Sequence, residues 1–177
     1  VAFETRNDVT EAEYIEMIRL KTSVLLACAM KIGGLLADAP QEDVDRLYRF
    51  GESIGLAFQL QDDLLDVYGD PKVFGKAIGG DIVSNKKTFM LINAFNRANS
   101  EQRQELERWI GAKTFSRDEK VAAVTRLYDA IGIRQLCEQK INQYFQLASQ
   151  TLAEIQVPDD HKHQLRQYMD ELLHRNK

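Results

Sequence analysis

Asp62, Asp63 and Asp66 crowd into little more than one helical turn, in the run FQLQDDLLD that begins at Phe58. With Gln59 they fall at i, i+3, i+4 and i+7, so a helix through this run carries them as one polar stripe. Like charges at that spacing destabilise a helix, and carboxylates near its C-terminus meet the unfavourable end of the dipole. A divalent cation offsets both effects. Hard cations take oxygen ligands, and Mg²⁺ commonly combines one or two carboxylates with substrate phosphates. A turn at Gly69-Asp70-Pro71 follows, then a loop with Gly75-Lys76 and Gly79-Gly80, then Asp81, Lys86 and Lys87. Lysine is a compact charge suited to phosphate. Carboxylates and lysines in this order point to a Mg²⁺–diphosphate site, whereas DDLLD taken alone reads equally well as a solvated acidic turn.

FQLQDDLLD, GDPKVFGK and GDIVSNKKT, in that order, resemble the second aspartate-rich region of the trans-isoprenyl diphosphate synthases (the polyprenyl synthetase family). The family's Phe-Gln, DDxxD, Gly-Lys and later Asp and Lys are all matched. Phe89-Met90-Leu91 departs from it, because many members have a proline and aliphatic residues after the lysine-threonine. The resemblance implies an all-α antiparallel helical bundle of the isoprenoid synthase type. It also implies head-to-tail condensation of an allylic diphosphate with isopentenyl diphosphate, with Mg²⁺ as cofactor. On that basis Asp62, Asp63 and Asp66 are the metal residues, with Asp62 the first choice for a direct ligand. Lys21, Thr22, Gln59, Lys76 and Lys86 are the diphosphate-binding set. The first four are also assigned to catalysis.

These residues need elements to position them. Thr10 and Glu13 form a capping-box pattern that opens a helix running to about Ala37. Its apolar stripe is Tyr14, Met17, Ile18, Val24, Leu25, Cys28 and Ile32, and Lys21 falls inside it. A lysine on a buried face is rare unless paired. Either its stem packs in the core while the head snorkels, or it points into a cavity that holds an anion. The family places a Lys-Thr pair against the allylic diphosphate here, and Tyr14 to Thr22 fits that setting. Asp38-Ala39-Pro40 ends this helix, and the next runs from Gln41 to Tyr68 with the aspartates in its last turns. Gly51 and Gly55 are unfavourable in its interior by about 1 kcal/mol each, so they mark close approach of a neighbouring helix or a substrate. Helices are expected again over 89–98, 100–110, 116–131 (with Ser116 and Glu119 as a capping box), 133–155, and from Pro158 to about His174. Their Glu, Gln and Lys are read as outer faces.

With 177 residues, 44% of them hydrophobic, the chain is long enough for one all-α domain over 1–177 and too apolar for a disordered segment. A net charge of −4 argues against a general nucleic-acid binder. No apolar run reaches membrane-spanning length. Cys28 and Cys137 have no metal-ligand spacing and read as buried free thiols in a reducing cytoplasm. His161, His163 and His174 show no ligand spacing either. The basic end His174-Arg175-Asn176-Lys177 reads as solvated.

The family's first aspartate-rich box has no counterpart here. The chain is therefore expected to be the C-terminal portion of a polyprenyl synthetase domain, inactive alone, from a cytoplasmic homodimer. The full protein's substrates would be the two diphosphates, with no nucleic acid. Two other classes stay open: a terpene synthase-like diphosphate lyase, which normally carries an Asn/Ser/Glu triad where DDLLD stands, and a non-catalytic subunit of a heteromeric prenyl synthase.

Overall fold

The computed structural model describes Arg6 and residues 8–70 and 78–173, and among them it contains helices and no strand. Lys76, the rest of its loop over 71–77 and the end over 174–177 lie outside the described residues. The helices are α1 Glu11–Ile18, α2 Val24–Leu36, α3 Gln41–Tyr68, α4 Gly80–Val83, α5 Phe89–Arg97, α6 Ser100–Gly111, α7 Arg117–Ile131, α8 Ile133–Ala153 and α9 His163–Leu173. A π-helical turn, Arg19–Ser23, joins α1 to α2, and a 3₁₀ turn, Asp159–Lys162, precedes α9. The chain divides into two compact units. One comprises Val1–Tyr14 and Asp62–Glu138, the other Ile15–Gln61 and Gln139–Lys177.

The expected capping box at the start of α1 is present. The Thr10 N–H donates to the Glu13 carboxylate at 2.9 Å, and the Glu13 N–H donates to Thr10 Oγ1 at 3.2 Å. Ser116 does begin α7, but its side chain makes no cap bond, so that box does not form. Asn99 and Gln102 instead build one at the start of α6.

In the unit of Ile15–Gln61 and Gln139–Lys177, the π turn rewrites the sequence pattern. The Val24 N–H bonds to the Arg19 carbonyl, five residues back. One extra residue in a turn rotates everything after it by about 100°. The buried positions become Ser23, Ala27 and Gly34, while Leu25, Cys28 and Ile32 are exposed. The expected stripe therefore fails after Ile18, Cys28 is not a buried thiol, and Lys21 stands exposed rather than on a buried face. The face that does pack is made of small residues. A Cβ on Gly55 would come within 2.5 Å of the Ser23 Cα, and one on Gly51 within 2.8 Å of the Ala27 Cα. The two glycines in α3 thus admit the backbone running from the π turn into α2, the close approach their sequence positions imply. Near the start of α3, the buried Asp43 accepts the Gln156 N–H on both oxygens, at 3.2 and 3.1 Å, and a 2.8 Å bond from Arg46.

In the other unit, α7 packs against α4, α5 and α6. Its core includes Leu64, Leu65 and Val67 of α3, Phe89, Met90 and Ile92 of α5, Leu106, and Val124, Leu127 and Tyr128 of α7. Each large apolar side chain buried in this way contributes about 1.5–3 kcal/mol. Gly79 precedes α4 at φ +81°, where a Cβ would also strike Val121 at 2.6 Å. Among the described residues no helix is long and apolar enough to cross a membrane.

The glycine packing gives a paired expectation. Gly55→Ala drives a methyl into backbone and destabilises by about 1–3 kcal/mol. Gly33→Ala meets nothing within 4 Å and stabilises the helix by about 0.5–1 kcal/mol. Urea denaturation followed by circular dichroism checks both signs.

Candidate active site

The last turns of α3 carry Gln59, Asp62, Asp63 and Asp66, and burial separates the three carboxylates. Asp63 is 1% exposed, whereas Asp62 and Asp66 are partly exposed. Asp63 is bonded on both oxygens. The Tyr14 hydroxyl donates to its Oδ2 and the Lys86 ammonium to its Oδ1 at 3.2 Å. Burial pushes the Asp63 carboxyl above the usual carboxylate range, while Lys86 and the Tyr14 hydroxyl oppose that rise. Burial, with Asp63 adding to it, also raises the Tyr14 hydroxyl, which keeps it a donor. Lys86 bonds Asp81 Oδ2 at 2.8 Å as well. Burial works against the Lys86 charge, but Asp63 and Asp81 outweigh it and the ammonium is stabilised.

Asp66 has a different task. Its Oδ2 accepts the Asp81 N–H at 2.8 Å, and its carbonyl accepts the Gly79 N–H at 2.5 Å. It therefore fastens the start of α4, where the left-handed Gly79 turns the chain. Burial raises the Asp66 carboxyl, and the Asp81 N–H counters it. Thus Asp62, Asp63, Asp66 and Lys86 of the expected site belong to one unit, together with Asp81 and Tyr14. Among the described residues no group of three or more His, Cys, Asp or Glu side chains is gathered to hold a metal.

In the other unit, Thr22 Oγ1 donates to the Gln59 side-chain carbonyl at 3.1 Å. Gln59 is buried, Thr22 partly exposed, and Lys21 beside it exposed. Lys76 lies outside the described residues.

Two participants were not assigned to the site from the sequence. Tyr14 reads as an apolar stripe residue, although tyrosine's polar tip usually finds a partner when buried. Lys120 reads as an outer-face lysine but is 1% exposed. Its signal was present: Ala123, Val124 and Leu127 follow at i+3, i+4 and i+7, so Lys120 lies on the buried face of α7. Lys162 is likewise buried, bonding the Ala153 carbonyl at 3.0 Å.

The chain is 36% identical over 160 residues to a short chain isoprenyl diphosphate synthase of Methanothermobacter thermautotrophicus, covering 90% of this chain and 48% of that one. A crystal structure of a geranylgeranyl pyrophosphate synthase superposes with a TM-score of 0.91 at 35% identity, over 99% of this chain and 55% of that one. A geranylgeranyl pyrophosphate synthase from Corynebacterium glutamicum, complexed with isoprenyl diphosphate and magnesium, gives a TM-score of 0.82 at 32% identity, over 93% and 46%. The chain spans about half the length of these relatives. The architecture is the all-α isoprenoid synthase fold. With the polyprenyl synthetase model matching residues 1–128, the chain belongs to that family.

Tyr14→Phe tests the Asp63 bond. Removing a donor to a buried carboxylate costs about 1.5–3 kcal/mol. Tyr68→Phe removes a bond to Asp129 at a partly exposed position and costs less than about 1 kcal/mol. Chemical denaturation of the two variants should show that order.

Proposed function

We propose that the polypeptide carrying this chain is a trans-prenyltransferase that joins an allylic diphosphate to isopentenyl diphosphate and releases diphosphate. The observation that carries the reading is the pairing of Lys86 with Asp63 of α3 and Asp81 of α4, inside a chain of this family. Its relatives are named as prenyl diphosphate synthases, and one is complexed with isoprenyl diphosphate and magnesium.

The donor set suits Mg²⁺ in a particular way. Asp63 has its oxygens on Tyr14 and Lys86, and Asp66 holds α4. On the family's pattern Asp62 would be the direct ligand, with Asp63 and Asp66 supporting through water. One carboxylate plus substrate phosphates is a usual Mg²⁺ arrangement. Bound there, Mg²⁺ supplies Lewis-acid neutralisation of the diphosphate. On the family's pattern Lys86, Lys76 and Lys21 would supply positive charge to the diphosphate oxygens. When the bond between the allylic carbon and oxygen breaks, its electron pair leaves with the diphosphate, and that charge is what these lysines stabilise. The isopentenyl double bond attacks the allylic carbon, and loss of a proton restores the alkene. Gln59, its carbonyl bonded by Thr22, would orient the substrate, as the family's pattern implies. We place the protein in the cytoplasm, as a homodimer.

The test gives the full-length polypeptide Mg²⁺, labelled isopentenyl diphosphate and a short allylic diphosphate, and sizes the products. Longer prenyl diphosphates are expected. Asp62→Ala and Lys76→Ala should each lower kcat on the order of 10²–10³-fold with the helical spectrum intact. Cyclised or hydrolysed allylic product without isopentenyl consumption overturns the reading in favour of a diphosphate lyase. Inertness overturns it in favour of a partner subunit.

A further inference from the structure

Lys120 is buried in α7, and among the described residues no carboxylate pairs with it. Its ammonium donates to Asn85 Oδ1 at 2.6 Å and to the Val83 carbonyl at 3.4 Å, and it lies 4.2 Å from the centre of the Phe115 ring. Burial lowers its pKa, and its charge is met by neutral oxygens and an aromatic face rather than by a carboxylate. A methionine of similar volume would avoid that burden. What a methionine lacks is the pair of donor bonds.

Those bonds converge on one turn. Asn85 is in the left-handed region at φ +54°, a conformation that asparagine tolerates better than most residues. Its Nδ2 donates to the Ile110 carbonyl at 3.0 Å, at the end of α6. Both ends of its amide are thus engaged, one by α6 and one by α7. The next residue is Lys86. Its N–H bonds the Asp81 carbonyl at 2.9 Å, and its ammonium returns to Asp63 and Asp81. The Thr88 N–H closes the turn on the Lys86 carbonyl at 2.9 Å. Asp66 fastens the start of this α4-to-turn segment, and Lys120 fastens its end.

We propose that Lys120 is a positioning residue that, through Asn85, holds the turn over 84–88 so that Lys86 is set on Asp63 and Asp81. The catalytic part of the proposal rests on the prenyltransferase reading of Lys86. The geometric part does not.

Lys120→Met in the full-length polypeptide separates the two. Hydrogen exchange read by mass spectrometry should show amides over 84–88 exchanging at least about tenfold faster, with rates in α6 and the rest of α7 within about twofold. The kcat for condensation should fall about tenfold while the KM for isopentenyl diphosphate holds. Asn85→Gly keeps the left-handed turn without the side-chain bond, so adding Lys120→Met to it should change kcat no further. Unchanged exchange over 84–88, exchange that rises evenly across 62–138, or effects on kcat that multiply in the double variant each overturn the proposal. So does faster local exchange with an unaltered kcat. A wild-type polypeptide that condenses nothing overturns the prenyltransferase reading, while the exchange rates still decide whether Lys120 holds the turn.

Discussion

Asp63 is the constraint on which one half of this molecule depends. A carboxylate that is 1% exposed in a helical core is tolerable only when its oxygens are bonded and its charge is answered. Tyr14 answers from α1 and Lys86 from the turn after α4. A residue 49 positions earlier and another 23 positions later are thereby tied to one side chain. Removing either partner leaves the carboxylate buried and short of a donor, which is costlier than never having built the site. The arrangement therefore fixes where the turn must sit. That is why the two ends of the segment around it are fastened separately, by Asp66 and by Lys120.

The other unit reaches a comparable end through size rather than charge. Gly55 has no Cβ, and the Ser23 backbone occupies the space. Thr22 precedes Ser23, and Gln59 lies one helical turn beyond Gly55. The contact that requires glycine is thus adjacent to the hydrogen bond between Thr22 and Gln59. A larger residue at 55 would push this backbone away from α3 and lengthen that bond. The π turn contributes to the same geometry by rotating Ser23 and Ala27 toward α3.

Much of this was legible beforehand, for reasons particular to each element. The span of α3 followed from its periodicity and from turn residues at both ends, and the Thr10–Glu13 box from a local pattern that needs no tertiary partner. Gly51 and Gly55 announced close packing because glycine in a helix interior demands a reason. The stripe after Ile18 was misread because a single π turn changes phase without a sequence mark, which exposed Lys21 and Cys28. Ser116 and Glu119 had the residues of a capping box but not the bonds. Lys120 was missed by assigning a charged residue to solvent when its i+3, i+4 and i+7 neighbours placed it inside. The acidic run reads as one stripe, and sequence could not divide its members, because the division depends on Tyr14 and on the α4 amides.

That division explains how three like charges coexist in so short a stretch. Were all three held only by a cation, α3 would carry uncompensated repulsion whenever the cation left. Here Asp63 is balanced by a lysine and a tyrosine, and Asp66 by backbone N–H groups at the start of α4. Each of those bonds is made within the protein, so the fold itself answers the charge at two members of the stripe. Asp62 lies on the partly exposed part of the stripe, where solvent screens its charge from its two neighbours.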